Sequence, residues 1–187
     1  DRADVEGARP VRESLNWFEE VSSNLGIHFV YESGANGSFF IVETIGGAPA
    51  LFDWDDDGDL DLYLVQGNTI GSSKRLDARN ALYENVDGFF VDRSKGSGAD
   101  YQGYGIGVST GDYDGDGDLD VYFAQGGDLA AAWKNPADTP VANQLFRNDG
   151  GWSFTDVTET SGGGDRGYAM GVAVGDIDGD GDPDLYI

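Results

Sequence analysis

An all-β fold of propeller-type blades is predicted by three observations: a unit that recurs along the chain, four short strand-like runs in each unit, and a composition rich in turn and strand formers. The recurrence is the strongest of these. Aligning Asp53, Asp112 and Asp176, which lie 59 and then 64 residues apart, superposes DWDDDGDLDLYL, DYDGDGDLDVYF and DIDGDGDPDLYI. The likeness continues upstream, where Tyr104–Asp112 (YGIGVSTGD) matches Tyr168–Asp176 (YAMGVAVGD) and, more loosely, Ile45–Asp53 (IGGAPALFD). Between the acidic stretches, Asn80-Ala-Leu-Tyr-Glu-Asn85 matches Asn143-Gln-Leu-Phe-Arg-Asn148, and Phe90-Val-Asp-Arg-Ser94 matches Phe154-Thr-Asp-Val-Thr158. Phe18-Glu-Glu-Val-Ser22 opens the same phrase once more.

Each unit therefore offers a strand before the acidic loop, one after it, one around Leu145 and Phe146, and one over Phe154 to Val157. Four strands in about 60 residues make one propeller blade, somewhat longer than the shorter propeller repeats. The thirty glycines, nine tyrosines and ten phenylalanines suit short strands and tight turns. Residues 1–25 lead into the first repeat, and the repeats run over 26–94, 95–158 and 159–187, the last incomplete. Over Val11–Leu25 a Ser14 cap with Trp17, Phe18 and Val21 suggests a short helix, although Phe18 also fits the strand phrase. Three units do not close a ring of four to eight blades, so the chain reads as part of a larger propeller, typically of seven blades. Its start at Asp1 and its end at Ile187 within a strand-like run agree with a piece of a longer, processed protein.

The formal charge is −24, with 11 basic against 35 acidic residues, which makes nucleic acid a poor partner. Sixteen of the 35 acids fall within residues 53–61, 112–120 and 176–184, and such clustering calls for cations. Cysteine is absent, which removes disulfides, zinc–thiolate sites and a cysteine nucleophile. No apolar run reaches 18 residues, so no membrane insertion is expected in this segment.

In the second loop Asp112, Asp114, Asp116, Asp118 and Asp120 occupy positions 1, 3, 5, 7 and 9, with Gly117 at position 6. Alternate carboxylates in a curled loop turn toward one centre, and glycine at position 6 allows the sharp bend that brings position 9 back. The first loop supplies Asp53, Asp55, Asp57, Asp59 and Asp61 around Gly58, and the third supplies Asp176, Asp178, Asp180, Asp182 and Asp184 around Gly181. A hard cation wanting six to eight oxygens suits these sets, and the expectation is three Ca²⁺ sites; Mg²⁺ prefers a stricter octahedron with more water. An EF-hand is excluded. Its position 12 requires a bidentate glutamate, here Leu64, Phe123 and Ile187, and the runs after the loops alternate with period two as strands do.

With Gly47-Ala-Pro49, the three aspartate loops, the Asn80 and Asn143 phrases and Phe154–Thr158, the chain resembles the FG-GAP/VCBS-type repeats of integrin α-subunit propellers. Within that group it is most similar to proteins resembling cartilage acidic protein, often carrying an ASPIC/UnbV domain. The resemblance spans roughly residues 18–187. It implies that calcium is held by side chains at positions 1, 3, 5 and 9 and by the backbone carbonyl at position 7. These roles pass to Asp53, Asp55, Asp57, Asp61 and the Asp59 carbonyl, and likewise in the other loops. Pro183 replaces Leu60 and Leu119 at position 8, which removes an N–H and no ligand.

The long segments 67–79 and 126–142 should lie at the blade ends opposite the acidic loops, together with the links near Gly98 and Gly164. Long loops on a rigid scaffold commonly carry binding, so a protein or glycan ligand is expected there if anywhere. Lys74, Arg75 and Arg79 form a basic cluster in the first of them, and Trp133 and Lys134 stand in the second. Trp17, Trp54 and Trp152, and the repeated Tyr63, Tyr122 and Tyr186, read as packing residues. The single histidine, His28, sits in an alternating run, and no nucleophile elbow, HExxH or Walker loop is present. The chain is thus read as a binding, adhesion or scaffold module and not an enzyme. The alternative is a propeller-based carbohydrate-active hydrolase or lyase whose catalytic residues lie in other blades. Calcium loops fill at extracellular calcium levels, so an extracellular, periplasmic or cell-surface location is expected.

Overall fold

The computed structural model describes residues 18–37, 43–69, 76–126 and 142–187. Two four-stranded antiparallel sheets and one two-stranded sheet follow each other along the chain. The first sheet runs β1 (Pro49–Phe52), β2 (Asp61–Leu64), β3 (Ala81–Val86) and β4 (Phe89–Asp92), paired in that order. The second repeats the order with β5 (Gly105–Gly111), β6 (Asp120–Gln125), β7 (Gln144–Asn148) and β8 (Phe154–Asp156). β9 (Ala173–Gly175) and β10 (Asp184–Tyr186) form the third, pairing Asp184 with Gly175. The fold is mostly β, and its meandering four-stranded sheets are propeller-like blades.

The acidic loops join the first and second strands of each unit. Consecutive antiparallel strands then put the connection from second to third strand at the opposite end of the blade. Residue alternation decides what each strand buries. On β6, Val121 and Phe123 turn toward the first blade, while Tyr122 joins Leu145 and Val157 in a second cluster against Val172 ahead of β9. One apolar core therefore spans the junction of the first two blades, with Phe52, Trp54, Tyr63 and Leu82 from one and Val121, Phe123, Phe146 and Phe154 from the other. Phe123 and Phe146 stack at 5.4 Å with planes 12° apart. Trp54 meets Trp152 edge-on at 4.9 Å, and the Arg93 guanidinium lies 5.4 Å from the Trp152 ring. The packing role expected of these two tryptophans is what they perform; Trp17 lies outside the described residues.

Buried hydrogen bonds recur with the same period. The Tyr63 hydroxyl donates to the Ala99 carbonyl (2.7 Å) and accepts from Asn80 Nδ2 (2.8 Å), whose Oδ1 accepts the Gln66 N–H (2.8 Å). In the second blade the Tyr122 hydroxyl donates to Gly163 O (2.8 Å) and Asn143 Oδ1 accepts the Gln125 N–H (2.8 Å). Each tyrosine thus fastens its blade to the link that leads into the next unit, at the end away from the acidic loops.

Two expectations are corrected. The helix over Val11–Leu25 is reduced, within the described residues, to one 3₁₀ turn at Ser22–Leu25, ended by Gly26 at φ 89°; Ser14 and Trp17 lie outside them. Phe18 to Ser22 is not a strand either, since no strand among the described residues pairs with it. What does recur is the corner that follows the phrase. A Cβ on Gly26 would come within 2.4 Å of Phe90 O, as one on Gly98 would come within 2.1 Å of Phe154 O. Helix α1 (Thr158–Ser161), ended by Gly162 at φ 78°, makes the same corner after β8. The run containing His28 belongs to none of the described strands. It packs along the first blade through Glu32 N–H to Gln66 Oε1 (2.7 Å) and Gln66 Nε2 to Val30 O (3.0 Å).

Candidate metal loops

Each acidic loop is built by its first aspartate. Asp112 Oδ1 accepts the N–H groups of Gly115 (2.8 Å) and Asp116 (3.1 Å), and its Oδ2 accepts that of Gly117 (3.1 Å). Asp53 does the same for Asp57 (3.1 Å) and Gly58 (2.9 Å), and Asp176 for Gly179 (2.7 Å) and Gly181 (3.1 Å). The glycine at position 6 has φ 94°, 101° and 96° in the three loops, the left-handed conformation the sharp bend requires. Position 4 is left-handed as well. Gly115 and Gly179 meet this without cost, whereas the first loop places Asp56 there at φ 61°.

Position 9 closes the loop. Asp61 Oδ2 accepts the Trp54 N–H (3.2 Å), Asp120 Oδ2 that of Tyr113 (2.6 Å), and Asp184 Oδ2 that of Ile177 (2.8 Å). In the two full blades the other oxygen reaches the third strand: Asp61 Oδ1 accepts Asn85 N–H and Asp120 Oδ1 accepts Asn148 N–H, both at 2.8 Å. Asn148 also ties two blades together, because its Nδ2 donates to Trp54 O at 2.8 Å. Burial pushes the Asp61 carboxyl up to about 6 against two backbone hydrogen bonds that lower it, and Asp120 is raised for the same reason. Asp55 is also raised, by burial first and then by the negative charges of Asp57, Asp53 and Glu84.

Three carboxylates in each loop bring oxygens within 4.8 Å of one another: Asp53, Asp55 and Asp57; Asp112, Asp114 and Asp120; Asp176, Asp178 and Asp184. Such groups can hold a metal ion. Asp61, Asp116 and Asp180 stand outside these triads, and Asp59, Asp118 and Asp182 at position 7 do not join them. The donor set is all oxygen, which suits a hard divalent cation, and Asp55 Oδ1 is buried with no hydrogen-bond partner. A cation at the centre of the first loop would satisfy that oxygen. The residue types and their convergence fit the group.

Lys74, Arg75, Trp133 and Lys134 lie outside the described residues, with the rest of 70–75 and 127–141. Arg79 is engaged within the fold: its Nη1 donates to Asp100 O at 3.1 Å, and Asp77 and Asp100 carboxylates lie 3.6 and 3.7 Å from the guanidinium. No helix among the described residues is long and apolar enough to cross a membrane. Asn85 and Asn148 support the loops without having been singled out by the sequence; the Asn at the end of each Asn80-type phrase was visible, but its partners were not.

Blades carrying one aspartate loop between first and second strands define a class of repeat proteins. The FG-GAP-like repeat model matches residues 53–123 and 127–187, and the chain belongs to that family. No curated protein matches it.

Proposed function

We propose that this chain is a calcium-binding propeller module in which Ca²⁺, held by the three aspartate loops, rigidifies the blades for extracellular binding, adhesion or scaffolding. The observation that carries the reading is the threefold recurrence of a convergent carboxylate triad, at positions 1, 3 and 5 in the first loop and 1, 3 and 9 in the other two, on the same loop network. In each loop the ligands are the side chains at positions 1, 3, 5 and 9 and the carbonyl at position 7, which are Asp53, Asp55, Asp57, Asp61 and Asp59 in the first. Like charges packed this closely repel, so occupancy and loop order are coupled. The closer kinship with cartilage-acidic-protein-type and integrin α-type repeats belongs to this reading, as does a location outside the cytoplasm, where calcium is abundant. A protein or glycan ligand docks on the ends opposite the calcium loops. The family's blades act as modules, which supports a non-catalytic role.

The test is a metal count and a thermal melt. Dialysed protein should bind close to three Ca²⁺ per chain and melt several degrees higher in calcium than in chelator, with Asp53→Asn, Asp112→Asn and Asp176→Asn each removing one ion. An unchanged melt with no bound metal overturns the reading.

A further inference from the structure

We propose that the first two loops hold calcium with unequal strength, the first more tightly, and that Glu84 and Arg147 set the difference. The proposal rests on the calcium reading above.

Asn85 and Asn148 define equivalent places, since each gives its N–H to the position 9 aspartate of its own blade at 2.8 Å. The residue just before them is Glu84 on β3 and Arg147 on β7. One blade thus carries a negative charge where the other carries a positive one. Their surroundings follow suit. Arg147 Nε lies 3.9 Å from Asp114 Oδ2, the position 3 carboxylate of the second loop. In the first loop the position 3 carboxylate, Asp55, keeps a buried oxygen without a hydrogen-bond partner, and the residue at the place of Arg147 is Glu84, whose charge adds to the negative field on Asp55.

Each residue is also paired within its blade. Glu84 Oε2 accepts from Arg93 Nε at 2.7 Å, and Arg147 Nη2 lies 2.7 Å from Asp149. The two blades therefore carry ion pairs of reversed polarity, an acid at the place before Asn85 and a guanidinium at the place before Asn148. Pairing weakens each field, and what survives acts over a short range. A divalent ion entering the second loop meets a cation already sharing Asp114; one entering the first meets an added anion and a carboxylate oxygen with nothing else to bind. Near a surface, two such opposed contributions amount to roughly a tenfold difference in affinity, shrinking as salt is added. Calcium then fills the chain in order, the first loop before the second.

The experiment is a calcium titration of the full chain read site by site, using the amide resonances of Gly58 and Gly117 at position 6 of the two loops. Gly58 should reach half-saturation at about one-tenth the calcium concentration required by Gly117. Arg147→Gln should move Gly117 to lower calcium and leave Gly58 in place; Glu84→Gln should move Gly58 to higher calcium and leave Gly117 in place. The unmoved loop in each variant certifies that the blades are folded. Coincident half-saturation in the unaltered chain, or a gap that neither substitution narrows, overturns the grading while the calcium reading stands. Absence of any shift at either glycine overturns the calcium reading, and the grading with it.

Discussion

The junction between the first and second blades and the open side of the third unit contain the same repeat positions in opposite circumstances. At position 2 of the acidic loop, Trp54 is 3 % exposed, Tyr113 42 % and Ile177 70 %. The second-strand tyrosines run the same way, with Tyr63 at 0 % and Tyr186 at 71 %. The side chains differ little in character; what differs is whether a following blade among the described residues covers them. A residue in this repeat is buried by its neighbour's β-strands rather than by its own, so stability belongs to the junctions.

If that is so, the largest effects fall at the covered junction. Phe146→Ala removes a ring stacked on Phe123 in the shared core and should cost about 3–5 kcal/mol in chemical denaturation. Ile177→Ala, on the open side, should stay within about 0.5 kcal/mol. Equal losses would break the comparison. A smaller difference is expected between Asn148 and Asn85. Asn148→Ala severs a buried bond from one blade to the other and should cost about 1–3 kcal/mol. Asn85 Nδ2 donates only to Leu60 O of its own loop, and its loss should be less than half as large.

A finer contrast lies in the corners. Gly98 and Gly162 share a left-handed φ, 87° and 78°, so alanine is strained by roughly 1 kcal/mol at either. Only at Gly98 would the new Cβ meet Phe154 O at 2.1 Å, whereas nothing lies within 4 Å of Gly162. Gly98→Ala should therefore be at least twice as damaging in a urea melt, and parity would mean that the blades slide apart easily.

The same distinction explains what could be read from the sequence. The acidic loops and the strand pattern were legible because each is written within one repeat and copied in the next, and the packing of Trp54 and Trp152 because each stands beside a copied phrase. The 3₁₀ corner at Ser22–Leu25 was not, because Trp17, Phe18 and Val21 at near-helical spacing imitate an amphipathic stripe, while Gly26 packing on Phe90 O decides the backbone. Helix α1 was hidden in a phrase read as strand through Val157; the strand ends at Asp156, whose Oδ1 takes the Thr158 N–H at 3.0 Å and turns the chain. Glu84 and Arg147 occupy one place in the matched phrases, where a change of charge sign carries no local structural signal. Their meaning lies in loops more than 20 residues away.

The smallest effect expected concerns protons, and it separates the loop from the junction. Asp61 is buried at the foot of the first loop and its carboxyl is raised from 3.8 to about 6. A carboxyl raised on folding is more readily protonated in the native state than in the unfolded chain, so its contribution to stability is greatest below pH 4 and declines as pH rises through 6. In chelator, the stability difference between the native chain and Asp61→Asn should therefore shift against the native chain between pH 4 and pH 6.5. Calcium reverses the sign, because a metal in the loop favours the ionised carboxylate; its stabilising effect should grow across the same interval and be blunted in Asp61→Asn. Melts in calcium and in chelator at each pH test this. Parallel curves in both media would mean that Asp61 serves only the hydrogen bonds to Trp54 and Asn85, and that the ion is held by the triad of Asp53, Asp55 and Asp57 without it.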